Sequence, residues 1–144
     1  MAEALAQART AADLGEVPVG AVLVDGASGE VLVRAHNLVE RDADPTAHAE
    51  ILAIRQAAAR LGVPRLEQAE LYVTLEPCAM CAAAISFARI KRLIFGAYDP
   101  KGGGVDHGAR FFEQPTCHHR PEVIGGLQEQ ECGALLQDFF KARR

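Results

Sequence analysis

Apolar and polar positions recur with a changing period along these 144 residues, and each change marks an element. Leu5, Ala8, Ala12 and Leu14 fall at helical spacing and predict an amphipathic helix over residues 3–14. Val17 to Val24 is a β-branched run closed by the turn signal Asp25-Gly26. Glu30 to His36 follows as a second strand, so the two make a hairpin-like unit. Asp44-Pro45-Thr46 opens a helix: Asp44 or Thr46 can cap it, and Pro45 suits its first turn. That helix runs from about Ala47 to Leu61 and stops at Gly62 and Pro64. Leu71 to Leu75 is a nearly continuous apolar run of the kind found in a buried central strand. A helix from Cys78 to about Ala88 and another apolar strand, Leu93 to Ala97, come next. Residues 99–121 are Gly-containing and aperiodic, a long loop with room for one helical turn. Val123-Ile124 predicts a final edge strand, and residues 128–142 a closing amphipathic helix. Strands alternating with helices predict one α/β layered domain over 1–144, without repeat or linker.

Composition changes this picture little. Hydrophobic content of 49% and charged content of 24% are those of an ordinary soluble globular domain. No stretch approaches the apolar length of a membrane span, and none ahead of the first helix reads as a signal peptide. Four cysteines without a secretory signal point to a reducing compartment, so the expected location is cytoplasmic. A net charge of −4 does not describe a general nucleic-acid binder, but the charge is unevenly spread. Residues 1–88 hold 6 Lys/Arg against 12 Asp/Glu, whereas residues 89–120 hold 6 against 3, and the chain ends Lys141-Ala142-Arg143-Arg144. That distribution permits a local phosphate-binding patch and equally a solvated face.

The chemistry concentrates in two short motifs. His48-Ala49-Glu50 and Pro77-Cys78-Ala79-Met80-Cys81 supply one imidazole, one carboxylate and two thiolates. Three of these make an open zinc site, since zinc takes four ligands and a corner left to water is what a catalytic site needs. A closed zinc knuckle would require a fourth ligand at short spacing, and no cysteine follows Cys81 until Cys117. A redox pair would leave His48 and Glu50 without a role. His48 and Glu50 are two apart and point to nearly opposite sides of a regular helix, so they serve one metal only from a helix mouth. Cys78 and Cys81 are three apart and share a face, again at a helix start, where the dipole favours thiolate. Two thiolates and a neutral nitrogen nearly cancel the metal's charge, so an added base is useful, and Glu50 is the candidate. Such a site supports addition of water to an amidine-like ring carbon and loss of ammonia. Elsewhere, Cys132 reads as core and Phe111-Phe112 as packing the loop onto the body. Cys117-His118-His119 reads as loop histidines beside a buried thiol rather than a second metal site.

The H-x-E and P-C-x-x-C pair is similar to the known signature of zinc nucleobase deaminases. The wider chain resembles the bacterial tRNA-specific adenosine deaminases. The resemblance lies in Glu16-Val17-Pro18-Val19-Gly20, Thr46 to Glu50, Leu71 to Cys78, Asp99-Pro100-Lys101-Gly102-Gly103 and Asp138-Phe139-Phe140, in order over nearly the whole chain. It implies a three-layer α/β/α, cytidine-deaminase-like sandwich with a mixed sheet of about five strands and helices on both faces. It also implies a homodimer, one Zn2+ per subunit and conversion of adenosine to inosine at the wobble position of an arginine tRNA with an ACG anticodon. Carried over, His48, Cys78 and Cys81 are the metal ligands and Glu50 the proton shuttle. Asn37 meets the flipped-out adenine, Ala49 and Pro77 belong to the substrate site, and Asp99, Lys101 and Phe139 or Phe140 lie by the anticodon stem-loop. Three features depart from the family pattern: a start close to the first helix, Cys117-His118-His119, and Ala88-Arg89. A free-base or nucleoside deaminase of guanine or cytosine type shares the two motifs. Asn37, the Asp99-Pro100-Lys101 loop and the basic C-terminal helix favour RNA instead.

Overall fold

The computed structural model describes residues 1–144. In chain order it contains α1 (Ala2–Asp13), β1 (Gly20–Asp25), β2 (Val31–His36), α2 (Ala49–Leu61), β3 (Ala69–Leu75), α3 (Ala79–Phe87) and β4 (Arg92–Ala97). A single 3-10 turn (Phe111–Glu113), β5 (Glu122–Gly125) and α4 (Glu129–Lys141) complete it. The five strands form one sheet in the order β2-β1-β3-β4-β5. β1 runs antiparallel to β2 and β3, while β3, β4 and β5 run parallel. α1 packs with α4 on one face and α2 with α3 on the other, which is the expected α/β/α sandwich.

The larger core lies under α2 and α3. Small residues of those helices (Ala53, Ala57 and Ala82 among them) let the backbones sit close to Leu23, Leu71, Val73 and Phe95 of the sheet. Full burial of one such side chain stabilises the fold by roughly 1.5–3 kcal/mol. Across the sheet, Leu5, Ala97 and Cys132 form a smaller cluster that joins α1 and α4. Cys132 is therefore core, as its helical position implied. α1 approaches β1 so closely at Gly20 that an added Cβ would overlap the Ala4 carbonyl and the Ala8 nitrogen.

Two elements begin later than the sequence predicts by two residues or more, each for a physical reason. β1 starts at Gly20 rather than Val17, because Pro18 has no N–H to donate and the Val19 N–H turns back onto the Val17 carbonyl at 2.8 Å. α2 starts at Ala49 rather than Ala47, and neither Asp44 nor Thr46 caps it. Asp44 Oδ1 instead accepts from the Thr46 N–H (2.9 Å) and hydroxyl (2.7 Å), closing a turn before the helix. The cap position belongs to His48, held extended at φ −72° and ψ 151°. The loop aromatics behave as expected, with Phe112 buried in the main core beside the partly buried Phe111.

Candidate active site

The sheet order brings four chain segments to one end. β1 is antiparallel to β3, so the residues leading into β1 (Val17–Val19) lie beside the end of β3. Asn37, just after β2, flanks it on one side, and Asp99, just after β4, on the other. α3 leaves from the same end of β3, and α2 begins there after the β2 loop. The open end of parallel strands, where connections diverge to opposite faces, is a natural crevice. Here it is a cleft of about 370 Å³ whose walls include Asn37, His48, Glu50, Cys78 and Asp99.

His48 and Cys78 occupy the N-cap positions of α2 and α3, so two helix N-termini point at one spot. His48 Nδ1 is 3.6 Å from Cys78 Sγ and 3.5 Å from Cys81 Sγ, and all three donor atoms lie within 4.8 Å of one another. A tetrahedral zinc with Zn–S near 2.3 Å and Zn–N near 2.0 Å sets nitrogen and sulfur about 3.6 Å apart, so the triangle is the right size. Residues and geometry thus fit a metal ion, and no other His, Cys or carboxylate group of the fold forms such a cluster. The three groups share protons unequally. The Cys78 thiol is drawn down to about 4, first by the hydrogen bond that Cys81 donates to it. Cys81 is correspondingly pushed up, since it keeps that proton and is buried. His48 is raised, chiefly by its hydrogen bond with Cys78. Glu50, only 4% exposed, has its carboxyl pushed up by burial, which favours a proton on it.

The remaining expected positions divide into groups. The Asn37 side chain is buried at the cleft wall and makes no hydrogen bond within the protein, leaving its amide free for a ligand. Asp99 stands between this cleft and a second of about 510 Å³, lined by Tyr98, Lys101, Phe140, Lys141 and Arg144. Val17 and Leu75 also belong to both walls, so the two clefts adjoin. Of the two closing phenylalanines, Phe139 is buried with the Arg143 guanidinium 3.5 Å above its ring, and Phe140 is the exposed one. Ala49 and Pro77 are buried next to the ligands and line neither cleft. Cys117, His118 and His119 lie apart from the site: Cys117 meets Ser86 Oγ at 3.6 Å, and His119 Nε2 meets the Ile90 carbonyl at 2.7 Å.

Two carboxylates that the sequence reading passed over hold the cleft open. Glu16, 1% exposed, accepts from the Glu40 N–H (3.2 Å) and the Arg41 N–H (2.7 Å), fixing the loop after β2. Glu76 does the same for the loop after β4. Burial alone would raise its carboxyl, but hydrogen bonds from Asp99, His107, Asp106 and Val105 outweigh that and hold it below the ordinary range. The available signal was an acidic residue just ahead of a proline at each strand end, Glu16-Val17-Pro18 and Glu76-Pro77.

Comparison with known proteins agrees with this geometry. The MafB19-like deaminase family matches residues 1–144. A tRNA-specific adenosine deaminase of Agrobacterium fabrum is 57% identical over 141 residues, covering 98% of this chain and 91% of the relative. Its counterpart in Bacillus subtilis is 47% identical over all 144 residues, 88% of its own length. A solved structure from work on A-to-I editing by tRNA deaminases at the wobble position of transfer RNA superposes with a TM-score of 0.92. It is 58% identical, covering 94% of this chain and 97% of that one.

Proposed function

The chain belongs to the tRNA-specific adenosine deaminases, within the MafB19-like deaminases, and from that premise we propose that it hydrolyses adenosine to inosine at the tRNA wobble position. The expected substrate is an arginine tRNA with an ACG anticodon. The observation that carries the reading is the His48–Cys78–Cys81 triangle with Glu50 in the same cleft. His48 Nδ1 and the two Sγ atoms would hold zinc, one ion per subunit, with residues 1–144 acting as one domain. When bound, zinc supplies Lewis acidity that activates a water molecule.

The chain's own residues supply the rest. Glu50 takes one proton from the attacking water and gives it to the purine N1, then takes the second from the new C6 hydroxyl and gives it to the departing amine. In balance, a C6–O bond forms, the C6–N bond breaks, and adenosine plus water becomes inosine plus ammonia. A carboxyl kept easy to protonate by burial suits that shuttle. The unpaired amide of Asn37 would pair with the base edge, and the cleft would receive a base already unstacked in the anticodon loop. Lys101, Phe140, Lys141 and Arg144 offer cations and an aromatic face to flanking nucleotides. Four free cysteines support a reducing, cytoplasmic location, and no helix is long and apolar enough to cross a membrane. A homodimer is supported by Phe87, 72% exposed at the end of α3. Metal analysis tests the site: one zinc per chain is expected in the wild type and about none in Cys81→Ala, with inosine formation lost together with the metal. Full activity in a zinc-free Cys81→Ala protein would overturn the proposal.

A further inference from the structure

One buried carboxylate collects five of the hydrogen bonds that hold the first part of the loop after β4. The Glu76 side chain has no solvent exposure. Its Oε1 accepts from the Asp99 N–H at 3.0 Å and from His107 Nδ1 at 2.8 Å, with the hydrogen on Nδ1. Its Oε2 accepts from the N–H groups of Val105 (3.2 Å), Asp106 (3.0 Å) and His107 (3.1 Å). Five donors from the two ends of a nine-residue segment, 99–107, therefore converge on a single group. The middle of the segment is tied to itself through the Lys101 and Gly102 N–H groups on Asp99 Oδ1, and to the body by the Gly104 N–H, which donates to the Pro77 carbonyl at 2.8 Å. It is also pressed onto the latch, for a Cβ at Gly103 would overlap Glu76 Oε2. The segment carries Lys101 into the basic cleft, Gly102 into the reactive one, and Asp99 between them.

We infer that Glu76 is a positioning residue for substrate selection: its carboxylate latches residues 99–107 so that Asp99 and Lys101 meet the nucleotides beside the reactive adenosine. The inference rests on the proposed tRNA reading, but the latch itself is a property of the fold. Glutamine is the discriminating replacement. It keeps the volume, yet one of its two ends is an NH2 group. Turned one way, that group faces the Val105, Asp106 and His107 N–H groups, which lose their acceptor; turned the other, it faces the Asp99 N–H, and His107 has to switch tautomer to accept from it. The loop is then freed without a cavity.

The experiment pairs steady-state kinetics on an ACG anticodon stem-loop with hydrogen exchange across residues 99–107, on zinc-loaded full-length protein. Glu76→Gln is expected to raise KM at least tenfold with a smaller change in kcat and unchanged zinc content. Exchange in the segment should accelerate at least tenfold while α2 stays protected. His107→Ala removes one donor from a partly exposed position, so it keeps the fold if Glu76→Gln does not. It should raise KM about two- to fivefold, in line with losing one bond of five. A freed loop with unchanged KM would overturn the inference, as would a fall in kcat alone. If the wild type makes no inosine in the stem-loop, the tRNA reading fails, and exchange still decides the latch. A segment as protected in Glu76→Gln as in the wild type would refute it.

Discussion

Glu50 shows how one side chain can be right for chemistry and wrong for stability. Burial raises its carboxyl, so the ionised form costs folding free energy once pH passes the folded-state value. An amide carries no such cost. Metal-free Glu50→Gln should therefore melt above the wild type at neutral pH, with the gap closing below the usual glutamate value of 4.5. A lower melting temperature for the variant at pH 7 would contradict this. Deamination should fall by about a thousandfold, within the range one acid/base group supplies, while zinc is retained. The ligands give a second pH dependence. Loading must displace the proton held by Cys81 and, where it is protonated, the one on His48, both of which bind protons more tightly than usual. Affinity should then weaken by about ten- to a hundredfold for each pH unit lowered, measured by competition with a chelator between pH 8 and 6. Affinity constant over that range would show that the protons are not linked. The residues of the proposed metal site were legible in the sequence because short local spacing defines them. Glu76 was not, because its partners lie 23 to 31 residues further on and only the fold brings them together.

Among the elements, helix starts do the positioning. His48 has to stay extended to turn its ring toward the thiolates, so α2 begins one residue later and the Asp44–Thr46 turn precedes it. Sequence rules read that turn as the cap because Asp and Thr satisfy N–H groups equally well in either setting. Only the metal-site requirement separates the two. Strand Val17–Val24 was overextended for a similar reason: β-branched residues suit a strand, but Pro18 cannot join the ladder. The Gly20 contact gives an element-scale test. Gly20→Ala should push α1 from the sheet and cost about 1–3 kcal/mol, read as a lower urea midpoint at unchanged slope. A midpoint equal to wild type would show that α1 yields freely.

At the scale of the molecule, a mixed sheet places four segment ends around one crevice and leaves the second, cation-lined cleft beside it. Periodicity predicts the layers, and the resemblance to a family implied a mixed sheet of about five strands; the strand order β2-β1-β3-β4-β5 comes from the structure alone. If His48, Cys78 and Cys81 hold the proposed zinc, the ion joins α2 to α3, and metal removal should lower the melting temperature by at least about 5 °C and zinc should restore it. The most direct test of the whole account is the position of inosine in arginine tRNA with an ACG anticodon after incubation with zinc-loaded protein, with free guanine as a parallel substrate. Inosine at the wobble adenosine alone, and none with Glu50→Gln, is the predicted result. An unmodified tRNA together with ammonia released from guanine would contradict it.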